Sequence, residues 1–296
     1  MKIKSAWISQ VESGQQPSSS SLRDHLNALH DSNAGFTEAF AWNCRDANGK
    51  NSYELLADIV NEKYHSQVLD LGCGSGVLLD LCNQRFGANL MLSGVDMNSS
   101  ELQLARERLA HTDIKFHQGS AQNLDCFTDS SFDVIFCHWA LTLMDPVVQV
   151  LDTTKRLLTK RGIFAAIIDG DPKTAPGYLE VHDIIYKHVQ YKYPDYGVFE
   201  LGDPRVRTAP QLQKLAAETF EDFDINITPI TLSFNAAPSI LAREAAGFFY
   251  ASFVLSPNDL SHMLNDLEKY FITSQQDGIS CFTMPVNRLI IRGRGQ

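Results

Sequence analysis

The chain has 296 residues, which is enough for one large α/β domain, or for one domain with an added lid. Its composition, 44% hydrophobic and 20% charged, is ordinary for a soluble globular enzyme. The formal charge of −10 argues against sequence-independent binding of DNA or RNA, which depends on clustered lysines and arginines, so we expect no nucleic-acid partner.

Cysteine spacing and hydropathy indicate the cellular compartment in which the protein functions. The six cysteines form no CxxC pair, which favours a reducing environment with neither disulfides nor a zinc site. The N-terminus has no apolar stretch typical of a signal peptide, and the longest apolar run, Gly162–Ile168, is too short to cross a bilayer. We therefore expect a cytoplasmic protein with no metal and no membrane contact.

Residues 1–62 are predicted to form an N-terminal helical cap. The serines of residues 18–21 are suited to capping a helix that begins near Leu22. A second, mostly helical stretch covers Asn33 to Glu62 and is interrupted at residues 46–49.

Residues 63–170 alternate between strand and helix patterns. Strands are predicted at Gln67–Leu71, Leu90–Asp96, Ile114–Gln118, Phe132–Cys137 and Ile163–Ile168, and helices at Val77–Phe86, Asn98–Ala110 and Pro146–Leu158. Asn98 and Glu101 are placed as a capping pair. The strands are continuous apolar runs, as expected when helices cover both faces of a parallel sheet, so this segment predicts a doubly wound α/β fold.

The remaining chain is predicted to complete the sheet around an insertion. Residues 171–207 carry five of the nine tyrosines and are interpreted as a lid. Residues 208–296 predict helices at Thr208–Phe220, Ser239–Phe253 and Asp259–Ser274, and strands at Ile225–Ser233 and Ile279–Ile291. Arg288, Arg292 and Arg294 alternate along the last strand and are interpreted as solvated charges.

The strongest motif is the run Val68-Leu-Asp-Leu-Gly-Cys-Gly-Ser-Gly76, in which a strand leads through a glycine turn into a helix. Glycine is needed where the backbone turns tightly and a ligand approaches the main chain. Dinucleotide enzymes also use such a turn, but here Val77 stands where their third glycine belongs. Asp70 precedes the first glycine by two positions, and Asp96 ends the next strand, where ribose hydroxyls are bound.

These residues resemble the class I, S-adenosylmethionine-dependent methyltransferase family, and the resemblance covers roughly residues 53–170. Five segments resemble the family's motifs in order: 70–76, 94–97, 118–124, 132–139 and 157–163. The resemblance implies a Rossmann-like, doubly wound, seven-stranded and mostly parallel sheet, with an N-terminal helical cap and an aromatic helical lid. It also implies S-adenosyl-L-methionine as the cofactor.

The resemblance assigns cofactor contacts residue by residue. The implied set is Asp70, Gly72, Cys73, Gly74, Gly76, Asp96, Met97, Ser120, Ala121, Gln122, Cys137, His138 and Trp139. Asp96 would bind the ribose, and Met97 would lie beside the adenine. The family usually has Asp where this chain has Ser120, so Gln122 is an alternative contact to the adenine amino group.

His138 is the candidate catalytic residue, because it follows the fourth strand at the ligand-binding edge of the sheet. It is either a general base or a wall of the cofactor pocket. Cys73 is interpreted as a small residue tolerated in the turn and not as a nucleophile. The Asn/Asp-Pro-Pro-Tyr/Phe pattern of methyltransferases that modify amide or exocyclic amino nitrogens is absent after this strand.

Candidate substrate contacts are mostly aromatic. Tyr178, His182 and Tyr186 recur every four residues and therefore share one helical face. They form either a lid for an apolar, aromatic or cationic acceptor, or packing against the core and a homodimer partner. Trp139 and Tyr53 are further candidates. Arg205 either anchors a substrate or pairs with Asp203 at the surface.

The sequence thus predicts in-line transfer of a methyl group from S-adenosylmethionine to an O, N or C nucleophile of a small molecule. Two alternatives remain at this point. The chain could be a non-catalytic subunit or scaffold that binds the cofactor, or a methyltransferase that acts on a protein or a carrier-bound group.

Overall fold

The computed structural model describes residues 5–197 and 201–294. Residues 1–4, 198–200 and 295–296, which fall in the predicted cap, lid and C-terminal segment, lie outside the described residues. The strands are β1 (Gln67–Leu71), β2 (Met91–Asp96), β3 (Lys115–Gln118), β4 (Phe132–His138), β5 (Leu158–Asp169), β6 (Phe223–Ala236) and β7 (Ser280–Gly293).

Helices precede, separate and follow these strands. The α-helices are α1 (Ala6–Glu12), α2 (Ser19–Asn33), α3 (Glu38–Asn43), α4 (Ser52–Ala57), α5 (Val77–Phe86), α6 (Ser99–Arg108), α7 (Val147–Leu157), α8 (Tyr178–Lys192), α9 (Ala209–Thr219), α10 (Pro238–Phe248) and α11 (Pro257–Thr273). Single turns of 3-10 helix occur at Gly87–Asn89, Leu141–Leu143, Pro172–Thr174 and Pro204–Val206, and a longer one at Tyr250–Val254.

The strands form one seven-stranded sheet in the order β3-β2-β1-β4-β5-β7-β6. The pairs β1–β2, β1–β4, β2–β3 and β4–β5 are parallel, and β7 runs antiparallel to β5. The predicted doubly wound, mostly parallel sheet is therefore confirmed. The chain reverses its direction of winding between β1 and β4, and ligands of such sheets bind at the carboxyl ends of the strands on either side of that reversal.

Burial explains why the central strands lack an alternating pattern. Leu69 of β1 and its register partner Ile135 of β4 lie on one face of the sheet, Val68 and Val134 lie on the other, and all four are fully buried. On the face of Leu69, the hydrophobic core also includes apolar residues of α7 and α9. Because this core covers the strands, a polar side chain within them must have a specific role.

The predicted helix caps are confirmed. The side-chain oxygen of Asn98 accepts a hydrogen bond from the Glu101 N–H at 2.9 Å, which closes the first turn of α6. Ser18 caps α2 through the Ser21 N–H at 3.1 Å. These bonds satisfy N–H groups that have no partner within the helix.

Several predicted helical segments differ from the structure. The helix predicted at Ser239–Phe253 ends at Phe248, because Phe249 adopts extended backbone and a separate 3-10 helix follows. The helix predicted to reach Leu158 ends at Leu157, since Leu158 already pairs with Phe132 as the start of β5. Between Asn33 and Glu62 only α3 and α4 are α-helical.

The chain divides into two compact units. One unit comprises residues 1–51, 171–200 and 231–285, and within it α8 and α10 pack on α11. The other comprises residues 52–170, 201–230 and 286–296, with β1–β5 and the helices α4–α7 and α9. The domain bounds at residues 62, 170 and 207 remain predictions.

Residues 5–197 and 201–294 contain neither a helix suited to span a membrane nor a side-chain cluster suited to hold a metal ion. No helix there combines the length and the apolar character needed to span a bilayer. No group of three His, Cys, Asp or Glu side chains in that part of the chain is placed to hold a metal ion.

Candidate functional site

The bend after β1 contains three glycines with left-handed backbone. Gly72, Gly74 and Gly76 have φ values of +68°, +50° and +80°. The N–H groups of Gly72 and Cys73 both donate to the carbonyl oxygen of Val95, at 2.8 and 2.9 Å. The bend is therefore attached to the end of β2, and its backbone is rigid before any ligand arrives.

Space as well as backbone conformation demands glycine at two of these positions. A Cβ atom on Gly72 would lie 2.5 Å from the Cβ of Ala140, in the segment that follows β4. A Cβ atom on Gly76 would lie 3.2 Å from the Cβ of Ala105 and 3.2 Å from Leu109 of the region ending α6. The glycines thus let α6 and the segment after β4 approach the bend closely.

Asp70 is a carboxylate inside the core. It lies in β1 opposite Gly94, and only 1% of its surface is exposed. Its Oδ1 atom is buried and accepts no hydrogen bond from any described residue. Burial, reinforced by the negative charge of Asp96, raises the pKa of Asp70 to about 8. The site therefore contains a buried carboxyl oxygen for which the described part of the chain supplies no partner.

Asp96 ends β2 and holds the bend. Its Oδ2 accepts from the Gly74 N–H at 2.9 Å, and its Oδ1 accepts from the Asn98 N–H at 2.8 Å. A carboxylate has about four acceptor positions and can accept hydrogen bonds from several donors at once. Asp96 thus joins the glycine bend to the start of α6 in a fixed orientation.

His138 closes the site at the end of β4. Its Nε2 forms a 2.8 Å hydrogen bond with the Oγ of Ser52, and its ring stacks on Tyr53 with centroids 4.0 Å apart. Trp139, which has a φ of +54°, packs edge-on against it at 4.9 Å. Burial lowers the pKa of His138 to about 3, so the imidazole is neutral at physiological pH.

The third of the five motif segments, residues 118–124, lies next to Asp96. Gln118 pairs with Asp96 in register, and the Gly119 N–H donates to the Asp96 carbonyl at 2.9 Å. The Ser120 hydroxyl donates to the Gln122 side-chain oxygen. Met97, Ala121 and these two residues therefore share the edge of the sheet beyond β2.

Two cysteines of the predicted site are inert. Cys73 and Cys137 are buried, and burial together with the charges of Asp70 and Asp96 raises the pKa of both thiols. The influence of both carboxylates on both thiols reflects how closely the ends of β1, β2 and β4 converge. Neither cysteine is suited to nucleophilic chemistry.

The predicted substrate residues divide between the two units. Tyr178, His182 and Tyr186 are half-buried on α8, where His182 stacks on Tyr186 at 4.0 Å and Tyr178 stacks on Phe282 at 6.0 Å. Arg205, in the other unit, is exposed and its guanidinium contacts the Asp203 carboxylate at 2.6 Å. Tyr53 and Trp139 adjoin His138.

Two residues of the site were missed by sequence reasoning. Ser52 is fully buried and bonds to His138, although 86 positions separate them in the chain. Arg108 donates to the Ser75 carbonyl and hydroxyl oxygens at 2.7 and 2.8 Å and so anchors the bend. No local sequence pattern identifies Ser52 as a site residue. The sequence shows Arg108 only as a basic residue at the end of a predicted helix.

The central part of the chain matches a known protein family. A model described as a methyltransferase domain matches residues 62–185. The ubiquinone biosynthesis O-methyltransferase of Glaesserella parasuis is 29% identical over 131 residues, which are 42% of this chain and 53% of that protein. A ribosomal RNA small subunit methyltransferase C of Haemophilus influenzae is 30% identical over 109 residues, 36% of this chain and 30% of that protein.

A solved structure shares the fold. Phosphoethanolamine N-methyltransferase 2 of Haemonchus contortus, in complex with S-adenosyl-L-methionine, superposes with a TM-score of 0.57 at 18% identity. The match covers 93% of this chain and 60% of that one. The chain spans about half the length, or less, of the curated relatives described above. The similarity is therefore limited to the core domain, and the activities of the complete relatives do not follow from it.

The raised pKa of Asp70 predicts an unusual pH dependence of stability. The folded-state pKa of about 8 exceeds the unfolded value near 3.8, so the neutral carboxyl stabilises the fold fully below about pH 4, and this stability is lost as pH rises towards 8. Asp70→Asn should therefore match the wild type at pH 4 and exceed its unfolding free energy by up to roughly 5 kcal/mol above pH 8.

Urea unfolding at pH 4, 6 and 8.5 measures this difference in the ligand-free protein. Asp113→Asn, at an exposed carboxylate in the loop before β3, is the matched control and should change stability little. An Asp70→Asn protein that is less stable than the wild type at pH 8.5 would contradict the assignment of a strained, buried carboxyl.

Proposed function

We propose that this chain, whose core is that of a class I, S-adenosylmethionine-dependent methyltransferase, transfers a methyl group to an O, N or C nucleophile of a small molecule. The proposal rests on one observation. A rigid glycine bend lies between two carboxylates, and one of them, Asp70, is buried with an oxygen that no described residue satisfies. This is the arrangement that a positively charged amino acid joined to a nucleoside would complete.

Asp70 and the bend fit the amino acid end of the cofactor. An ammonium group would supply both the hydrogen-bond donor and the positive charge that the buried carboxylate lacks. The bend from Gly72 to Gly76 presents backbone without side chains, so a ligand can lie against its peptide groups. Cys73 and Cys137 would form the apolar floor of this part of the site.

Asp96 and the third motif fit the nucleoside end. Asp96 is oriented by two backbone N–H groups, and a carboxylate is the group that two vicinal hydroxyls of a ribose can both donate to. Met97, Ser120, Ala121 and Gln122 would surround the adenine. Because Ser120 donates to the Gln122 side-chain oxygen, these two residues would contact the base as a unit.

The bound cofactor supplies a methyl group that is already activated on a sulfonium. The chain therefore has to align the acceptor, exclude water and accommodate any proton that the acceptor loses. His138 is poorly suited to take that proton, because a base with a pKa of about 3 holds a proton weakly at neutral pH. We propose that His138, Ser52 and Tyr53 form a wall of the site, with Trp139 beside them.

A small acceptor is favoured over RNA by charge and by the segment after β4. The net charge of −10 repels phosphates, and residues 138–141, His-Trp-Ala-Leu, lack the Pro-Pro pattern of enzymes that modify base nitrogens. One relative is named for ubiquinone biosynthesis and another for ribosomal RNA, so similarity of the core alone leaves the acceptor class open. Tyr178, His182 and Tyr186 of α8 are proposed to contact an apolar, aromatic or cationic acceptor.

Cofactor binding is tested by calorimetry with S-adenosylhomocysteine. Asp96→Ala should raise the dissociation constant about a hundredfold, because two charge-assisted hydrogen bonds to the ribose are lost. Asp113→Asn, which alters an exposed carboxylate outside the site, should bind as the wild type does. Absence of heat with the wild type at millimolar ligand would end the proposal.

The acceptor class is tested with cofactor carrying a labelled methyl group. We expect label to enter a metabolite extract in the presence of the wild type and to be reduced at least tenfold with Asp96→Ala at limiting cofactor. RNA and protein fractions from the same cells are tested in parallel. Label found only in RNA or only in protein would contradict the small-molecule acceptor.

The role of His138 is tested by comparing two variants in the same transfer assay. Glutamine retains a group that can bond to Ser52, so His138→Gln should keep the wild-type pH profile and most of the turnover. His138→Ala should lose about tenfold in cofactor affinity and a similar factor in turnover, since one buried hydrogen bond and its packing disappear. A general base would instead make both variants equally inactive while leaving cofactor affinity unchanged.

A further inference from the structure

A second concave site lies in the unit that contains β1–β5. It is a cleft of about 660 Å³, a size common for small-molecule sites, between the segment of residues 58–65 and β7. The segment 58–65 immediately precedes β1, whereas the glycine bend follows β1. This segment therefore lies at the opposite end of β1 from the bend, whereas Arg288 of β7 pairs with Ile167, which is itself the register partner of His138 at the end of β4.

The cleft contains cations that have no acidic partner. Lys63, Arg288 and Arg292 line it, and no carboxylate among residues 5–197 and 201–294 lies within salt-bridge distance of them. The Nε of Arg288 is buried and donates to no described acceptor. Arg292 and Arg294 are exposed, as expected of solvated charges, whereas Arg288 is half-buried and its Nε is enclosed. Buried donors normally have partners, and one that lacks them points to a ligand.

The acidic residues of the cleft are already engaged. Asp58 accepts from Arg85 at 2.7 Å, and Glu62 accepts from the Asn89 side-chain amide at 3.0 Å. His65 contributes a further donor, because its Nδ1 accepts from the Asn61 N–H at 3.1 Å and the proton of the neutral ring must then be on Nε2. The cleft is thus locally cationic on a chain with a net charge of −10.

The cationic groups alternate with apolar surface. Arg288, Ile290 and Arg292 are spaced by two along β7 and therefore share one face of the sheet. Ile163, which is paired with Arg292, and the exposed ring of Tyr64 also line the cleft. A ligand that satisfies this surface needs an anionic group for Arg288 and an apolar body for Ile290 and its neighbours.

We propose that this cleft binds a small amphipathic anion, a carboxylate or phosphate ester on an apolar body, with Arg288 receiving the anionic group. The residues that line the cleft are not among those proposed to contact the cofactor, and Arg288 lies level with His138 of the wall, two strands away. Arg292 and Lys63 at the opening attract the anion, and Ile290 contacts its apolar part.

Calorimetry with octanoate and with octyl phosphate tests the proposal, and octanol provides the same chain without charge. At constant ionic strength, at least one of the two anions should bind the wild type more tightly than octanol does. Arg288→Gln should weaken that binding at least tenfold and leave octanol unchanged, because a charge-assisted hydrogen bond is lost. The two anions distinguish a carboxylate from a phosphate ligand.

Arg294→Gln is the matched control, because Arg294 is on the same alternating series but pairs with Asp224 at 2.8 Å outside the cleft. It should bind the anions within twofold of the wild type. S-adenosylhomocysteine affinity and the urea midpoint verify that each variant is folded. If Arg288→Gln fails to fold, Arg292→Gln at an exposed position replaces it, with an expected weakening of at least threefold.

Three results would overturn the proposal. The first is the absence of anion binding to the wild type at 10 mM, and the second is equal binding by the wild type and the folded cleft variant. The third is a dimer in sedimentation that excludes both anions and dissociates on Arg288→Gln, because the cleft would then be an interface between copies of the chain.

Discussion

The buried carboxyl group of Asp70 is the constraint on which the rest of the site depends. A carboxylate inside an apolar strand is unfavourable unless a donor or a cation compensates it, and here burial and Asp96 together raise its pKa to about 8. The protein maintains this strain by surrounding β1 with a large hydrophobic core. A ligand with a positive charge gains binding energy from the relief of that strain, at some cost to the stability of the ligand-free fold.

The backbone around Asp70 is organised so that little has to move when a ligand binds. The bend is bonded to Val95, Asp96 accepts from Gly74, and Arg108 holds Ser75. Such preorganisation lowers the entropy lost on binding. It suits a reaction in which the donor is already activated and the protein mainly controls distance and alignment.

The helix α4 and the segment after it border both candidate sites. At the start of α4, Ser52 and Tyr53 contact a neutral His138 beside the site that favours a cationic ligand. Beyond its end, residues 58–65 border the cleft together with Arg288 and Arg292 of β7, which favours an anionic ligand. The two classes of ligand are therefore distinguished by the charge of the residues that face them.

The sequence by itself determined the order of β1–β5, the bounds of α5, the capping of α6 by Asn98 and the glycine bend with its two carboxylates. These features are local, since they follow from apolar runs, glycine and capping residues within about ten positions. Only the tertiary structure decided that Ser52 meets His138 across 86 positions, that Arg288 is half-buried beside a cleft, and that Oδ1 of Asp70 is buried without a partner among the described residues. Burial and the proximity of distant residues set these properties, and one-dimensional periodicity does not encode which strands and loops pack side by side.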